Sequence, residues 1–253
     1  MSDGISMSDG ITMTNAVIEC ILSRSAAKYY DPAATLSDDQ IRELVRIGTT
    51  APTSFHLQNW RFIAVRTPEA KARLHPIAWH QPAITEAAVT FIVCGQLADS
   101  TVIPKRLAPL VQAGIMPAKT VPDWEIPARD LYMEYPQRRR DEAVRTGTFG
   151  AAAMIYAARS LGLGSTPMIG FDAEAVAREF ALAEDEVPVM LLSVGGGASR
   201  KLVTEAAPSG GRCAGIRIDP RAAPPSPTTL RTPESAREKY LERRKDPLEQ
   251  PNT

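Results

Sequence analysis

Residues 51–62 read Ala-Pro-Thr-Ser-Phe-His-Leu-Gln-Asn-Trp-Arg-Phe, and the hydrophobic period changes across them. Before them, residues 37–48 place Ile41, Leu44, Val45 and Gly48 on one helical face, with Ser37 and Gln40 spaced as a capping box; this predicts an amphipathic helix. After them, residues 60–65 predict a buried strand. The turn between carries small hydroxyl residues, a histidine, a glutamine and an asparagine at the end of a rigid element, where donors and acceptors can grip a polar small molecule.

The chain around this stretch has 253 residues, enough to bury a full core in one or two domains. With 29 basic against 29 acidic residues its formal charge is zero, which argues against a general polyanion-binding surface and so against nucleic acid. Cys20, Cys94 and Cys213 are scattered and share no metal-ligand spacing, which suits a reduced, cytoplasmic protein. No stretch approaches the roughly 18 to 20 apolar residues of a membrane span, and no basic region followed by an apolar run opens the chain. Met-Ser-Asp-Gly-Ile occurs twice, at residues 1–5 and 7–11, and residues 1–13 read as a disordered leader.

Working outward, residues 14–23 predict a first helix with Val17, Ile18, Ile21 and Leu22 as its inner face. It runs into Arg24-Ser25-Ala26-Ala27-Lys28-Tyr29-Tyr30. Two cations and a hydroxyl in five residues suit a phosphate; taken alone, the segment is described still better as a solvated helix end whose cations favour the dipole. Residues 68–74 and 82–88 predict short helices, and residues 91–94 a second buried strand. Residues 98–146 are interrupted by six prolines and punctuated by Trp124, Tyr132, Met133 and Tyr135; they read as an excursion with one or two helices and no core of its own. Residues 150–161 are apolar nearly all round and predict a helix buried in the core or against another subunit. Gly162-Leu163-Gly164 stops it. Ser165 to Phe171 is a short apolar segment whose backbone suits close approach to a planar ligand, and equally an ordinary loop into a helix capped by Asp172. A helix over 173–180 and a third buried strand over 187–194 follow, then Gly195-Gly196-Gly197, a basic segment with Arg200, Lys201, Arg212 and Arg217, and a proline-rich, charged tail over 219–253.

Several chemistries drop out. No Gly-x-Gly-x-x-Gly occurs, since Pro167 stands where the third glycine would follow Gly162 and Gly164. A phosphate-binding Gly-x-x-x-x-Gly-Lys loop and a Gly-x-Ser-x-Gly elbow are also missing. His56, His75 and His80 form no helical metal-ligand pair, so no metal is expected.

Four segments, taken together and in order, resemble the nitroreductase family of FMN enzymes. Arg24 to Tyr30 resembles its opening motif, residues 51–62 its Ala-Pro-Ser-Ser-x-Asn-x-Gln-Pro-Trp-x-Phe, Gln81 a polar residue used at the flavin ring, and Leu161-Gly162-Leu163-Gly164 with Pro167 to Gly170 its Leu-Gly-Leu-Gly segment and following loop. The resemblance implies an α+β sandwich, a central mixed or antiparallel sheet flanked by helices, in one FMN-binding domain over 14–218. It also implies a domain-intertwined homodimer with FMN at the interface, residues 98–146 serving as a lid.

Carried over, the resemblance places Arg24, Ser25, Ala26 and Lys28 at the phosphate and the N1/O2 side. Pro52, Thr53, Ser54 and His56 fall along the ribityl chain and ring, and Gln81 at the pyrimidine edge. Pro167, Met168, Ile169 and Gly170 fall over one ring face, with a backbone N–H of Ile169 or Gly170 directed at N5. Arg212 is the choice for a second phosphate cation, with Arg200 and Lys201 competing; Trp124, Tyr132 and Tyr135 are either substrate contacts or pins that hold the excursion to the body. Ala26 stands where the family usually has serine, His56 replaces its asparagine, and Asn59 its proline. The implied activity is hydride transfer from NAD(P)H through flavin N5 to nitroaromatics, quinones or related small acceptors by alternating half-reactions, with no side chain required as acid or base. Two alternatives are a same-fold FMN enzyme with another natural reaction, such as dehalogenation, enone or aldehyde reduction or oxidative dehydrogenation, and a flavin-binding protein without turnover.

Overall fold

Strand β2 (Val89–Gln96) is buried along almost its whole length, and its alternation divides the core in two. The structure is a computed structural model that describes residues 15–197. β2 pairs with β1 (Trp60–Val65) on one side and β4 (Glu186–Gly195) on the other, and β3 (Gly164–Met168) completes an antiparallel sheet of order β1-β2-β4-β3. On one face Val89, Phe91, Val93, Leu192 and Val194 meet Ile41 and Leu44 of α2 (Asp38–Gly48) and Ala151, Met154, Ala157 and Ala158 of α7 (Pro136–Ser160). On the other, Ile92, Cys94 and Leu191 meet Leu74 of α3 (Pro68–Ile77), Ile84 of α4 (Pro82–Glu86) and Val176 of α8 (Ala173–Glu179). This is the expected α+β sandwich. The capping box of α2 forms as expected, with Ser37 and Gln40 exchanging side-chain and backbone hydrogen bonds.

Helix α7 lies unusually close to the sheet because small residues line its inner face. A Cβ added at Gly95 of β2 would sit 1.9 Å from the carbonyl oxygen of Ala143, and one at Gly147 would sit 2.9 Å from Cγ2 of Val189. α7 begins at Pro136, fourteen residues before the expected start at Gly150. Proline is well tolerated at a first helical position, and the charged run that follows hid the small-residue face. The excursion therefore ends before residue 136. Its two helices, α5 (Ile103–Gln112) and α6 (Pro122–Tyr132), do form a small cluster, packing Ile103, Leu107, Ala128 and Tyr132 around Leu57 of the turn before β1.

Two further expectations change. α1 (Ala16–Ser23) buries no residue: Val17, Ile18, Ile21 and Leu22 all face outward, Leu22 with 80% exposure. Residues 164–168, read as a loop, form edge strand β3, which tolerates Pro167 because an edge position spares the missing N–H. The leader, the tail and Arg200, Lys201, Arg212 and Arg217 lie outside the described residues.

Gly95→Ala would drive a methyl group into the α7 backbone. The expected loss of stability exceeds about 3 kcal/mol, read as a lowered urea midpoint. Gly114→Ala, which meets no neighbouring atom and carries only the backbone strain of a φ of +69°, about 1–2 kcal/mol, is the clash-free comparison.

Candidate functional site

The site begins where the opening motif docks on the outer edge of β3. Ala26 bridges Ser165, the Ala27 N–H donates to the Ser165 carbonyl at 3.0 Å, and Thr166 Oγ1 donates to the Ala27 carbonyl at 2.6 Å. Gly164 permits this approach, since a Cβ there would lie 2.9 Å from that of Ala27. Tyr30 locks the far end. Its hydroxyl is 2.7 Å from Thr166 Oγ1 and 3.1 Å from the Ser193 carbonyl, and burial pushes its pKa well above the ordinary 10.0.

α7 stops in a Schellman turn: Gly162 adopts a φ of +74°, the Gly162 N–H donates to the Arg159 carbonyl and the Leu163 N–H to that of Ala158. Between this turn and the opening motif lies a cleft of about 110 Å³ whose lining includes Arg24, Ser25, Arg159, Gly164, Ser165 and Gly197, and no carboxylate. Lys28 and Ala26 do not line it. Both are exposed, and Lys28 Nζ stands 5.5 Å from the centre of the Tyr29 ring. Arg159 went unnoticed in the sequence because an arginine in a last helical turn is ordinary.

Following β3 away from the cleft leads to a second polar corner. Gln81 Nε2 donates to the Gly170 carbonyl at 2.7 Å, bringing together two residues that the family resemblance implies at the ring. Trp79 stacks against Gly170, where a Cβ would lie 2.9 Å from Cε3 of the indole. Among the described residues, the N–H groups of Ile169 and Gly170 donate to no protein acceptor. Strand alternation then sorts the segment: Pro167 and Ile169 are exposed, whereas Met168 is buried in the core with Leu191. The Met168 side chain is thus turned away from the face its neighbours offer.

The turn before β1 sits at the opposite edge of the sheet. Three strand spacings, roughly 14 Å, separate β1 from β3, and no residue of 51–62 lines the cleft. Pro52 is exposed, while Thr53, Ser54 and His56 are half-buried. Thr53 Oγ1 accepts from the Gln58 N–H at 3.1 Å, and the His56 Nε2 and Gln58 Nε2 atoms are 2.7 Å apart. Asn59 donates to the Gln96 carbonyl at 2.7 Å and accepts from Thr146 Oγ1 at 2.9 Å. The unusual asparagine therefore fastens the turn to β2 and α7. Backbone strain gathers here and at the Trp79 corner: of six non-glycine residues with positive φ, Phe55, His56, Gln58, Trp79 and His80 lie in these two places.

Tyr132 belongs to the same fastening. It is 3% exposed, its hydroxyl is 2.9 Å from Ser54 Oγ and donates to Glu142 Oε2 at 3.0 Å, and Arg145 pairs with that carboxylate. Of the two expected roles, its geometry is that of a pin, with no surface left for a substrate. Trp124 and Tyr135 keep exposed faces, and the Arg138 guanidinium stacks 4.0 Å from the Tyr135 ring centre. No group of three or more His, Cys, Asp or Glu side chains among the described residues could hold a metal ion, and no helix there is long and apolar enough to cross a membrane.

A basic cleft and a polar corner are thus joined by one edge strand of an α+β sandwich. The Nitroreductase family profile matches residues 21–196, and the chain belongs to that family. YdgI of Bacillus subtilis, provisionally named an NAD(P)H nitroreductase, is 31% identical over 186 residues, covering 72% of this chain and 88% of its own. YodC of the same bacterium, named in the same way, is 29% identical over 183 residues, covering 72% of this chain and 90% of its own. Among solved structures, a provisionally named nitroreductase of Exiguobacterium sibiricum in complex with FMN superposes with a TM-score of 0.65 at 26% identity, covering 72% of this chain and 88% of that one.

Two outcomes are expected. Tyr132→Phe removes the hydroxyl between Ser54 and Glu142 and costs about 1–2 kcal/mol in denaturant unfolding, because Glu142 keeps its ion pair with Arg145. Tyr30 stays protonated in the folded chain above the pH at which it ionises in the unfolded one. Its contribution is therefore complete below pH 10 and is lost as pH rises beyond it, and Tyr30→Phe flattens that part of the stability profile measured across the alkaline range.

Proposed function

We propose that this protein is an FMN-dependent oxidoreductase that takes hydride from NAD(P)H and passes it to nitroaromatics, quinones or related small acceptors in alternating half-reactions. The observation that carries the reading is the pair of N–H groups at Ile169 and Gly170 that donate to no acceptor among the described residues, beside Gln81 and just past the end of the strand whose start lines the Arg24–Ser25 cleft. The donor set suits the cofactor at both ends. Arg24 supplies a planar fork and Ser25 a hydroxyl for a phosphate, and the Ile169 and Gly170 N–H groups are donors that would suit a ring nitrogen. Family membership, the NAD(P)H nitroreductase names of YdgI and YodC, and the FMN complex of the Exiguobacterium relative support the same assignment.

When bound, FMN accepts hydride at N5 and returns it to a second substrate, so the protein supplies binding, orientation and charge. Gln81, held by the Gly170 carbonyl, would meet the pyrimidine edge. Pro167 and Ile169 would cover one ring face, and the exposed Lys28 would supply a cation at the N1/O2 side, where negative charge develops. Arg212, or Arg200 or Lys201 in its place, adds charge at the phosphate. Pro52, Thr53, Ser54 and His56 stand at the far sheet edge of their own chain, so in this reading they serve the flavin of the second subunit of a homodimer. The outward apolar row of α1, with Phe149 and Tyr156 of α7, suits such an association. Trp124 and Tyr135 present aromatic faces to the acceptor. A reducing cytoplasm suits the scattered cysteines.

The test is the visible spectrum of the purified full chain before and after anaerobic addition of NADPH and then NADH, followed by a quinone or nitroaromatic. A flavin band that bleaches and then returns is expected. Bleaching without return favours another acceptor on the same fold, a band that neither nucleotide bleaches favours binding without turnover, and a colourless protein that takes up no FMN overturns the reading.

A further inference from the structure

Arg159 lines the same cleft as Arg24 and Ser25. An arginine in a last helical turn is ordinarily explained by the helix dipole. Here that explanation is incomplete. Among the described residues the side chain makes one hydrogen bond, from Nε to Ser23 Oγ at 3.0 Å, which leaves both terminal nitrogens of the guanidinium without an acceptor there. All eight ion pairs among the described residues use other arginines, so neither Arg24 nor Arg159 is neutralised by a carboxylate there.

The charge balance of the cleft gives the second guanidinium a purpose. Both α1 and α7 end at it, Arg24 being the C-cap of α1 and Arg159 lying in the last turn of α7. Each helix C-terminus carries about half a negative charge, so the two together oppose an anion with roughly one unit. Arg24 alone brings the cleft to about zero. Arg159 makes it net positive, and with the Ser25 and Ser165 hydroxyls it completes a donor set for a phosphate monoester, which carries close to two negative charges at neutral pH.

We infer that Arg159 is a second phosphate-binding cation, built into the domain itself, and that it makes the cleft select flavin mononucleotide over riboflavin. The inference rests on the proposed flavin function. The same chemistry could be met by the 2′-phosphate of NADPH; the position of the cleft on the β3 edge, four residues before the free N–H of Ile169, assigns it to the flavin.

The test titrates the full chain, stripped of flavin, with FMN and with riboflavin, following flavin fluorescence for the wild type, Arg159→Ala and Arg159→Gln. The expected result is an FMN Kd raised about ten- to hundredfold in both variants with the riboflavin Kd unchanged. Arg159→Gln, which keeps the stem and a donor to Ser23, decides the matter should the alanine variant lose its thermal transition. An unchanged FMN-to-riboflavin ratio overturns the inference, as does a ratio lost in Arg212→Ala alone. A wild type that binds both flavins equally overturns it while leaving the proposed function standing; a wild type that binds neither overturns both. Loss of an NADPH-over-NADH preference at unchanged FMN affinity assigns the phosphate to the nicotinamide nucleotide and overturns the flavin assignment.

Discussion

The contact of the Ala143 backbone with Gly95 sets the distance between α7 and the sheet, and most of the molecule follows from that distance. A 25-residue helix spans about 37 Å, long enough to reach both regions of functional interest. Near its start, Glu142 and Thr146 hold Tyr132 and Asn59, and through them the turn before β1. At its end, the Schellman turn delivers Arg159 to the cleft and launches β3. A side chain at Gly95 would lift the helix and disturb both ends at once.

The polar groups of the β1 turn are held by one another and by α7, which explains how a strained backbone persists there. Phe55, His56 and Gln58 adopt a conformation that costs about 1–3 kcal/mol each, offset by the bonds from Gln58 to Thr53 and from Asn59 to Gln96 and Thr146. Glu142 is buried at 5% exposure, yet Tyr132 and Arg145 both donate to it. A buried carboxylate so supplied fixes its neighbours' positions, because it is satisfied only while they converge on it. The β3 side is built differently. Among the described residues, Arg24, Arg159 and the N–H groups of Ile169 and Gly170 have donors left over, which is the condition for binding something from outside.

Much of this was legible in the sequence. Hydrophobic periods located β1, β2 and β4, the capping box located α2, and the spaced motifs indicated the family and brought Gln81 and Gly170 into one account. Short range explains those successes: a cap, a two-residue alternation and a glycine turn are each decided by atoms a few residues apart. β3 was not legible, because five residues including a glycine and a proline carry too little pattern, and its pairing with β4 is a long-range event.

The sequence by itself thus determined the fold class, the helix and strand content on either side of residues 51–62, and the polar and charged residue types from which a site could be drawn. Only the tertiary structure decided which of them share a site. It turned Met168 into the core while leaving Pro167 and Ile169 outside, buried Tyr132 against Ser54 and Glu142, exposed the apolar row of α1, and set Arg159 beside Arg24 across 135 residues of chain. Those outcomes depend on which surfaces meet, and surfaces meet through packing between distant segments, which a local pattern does not encode.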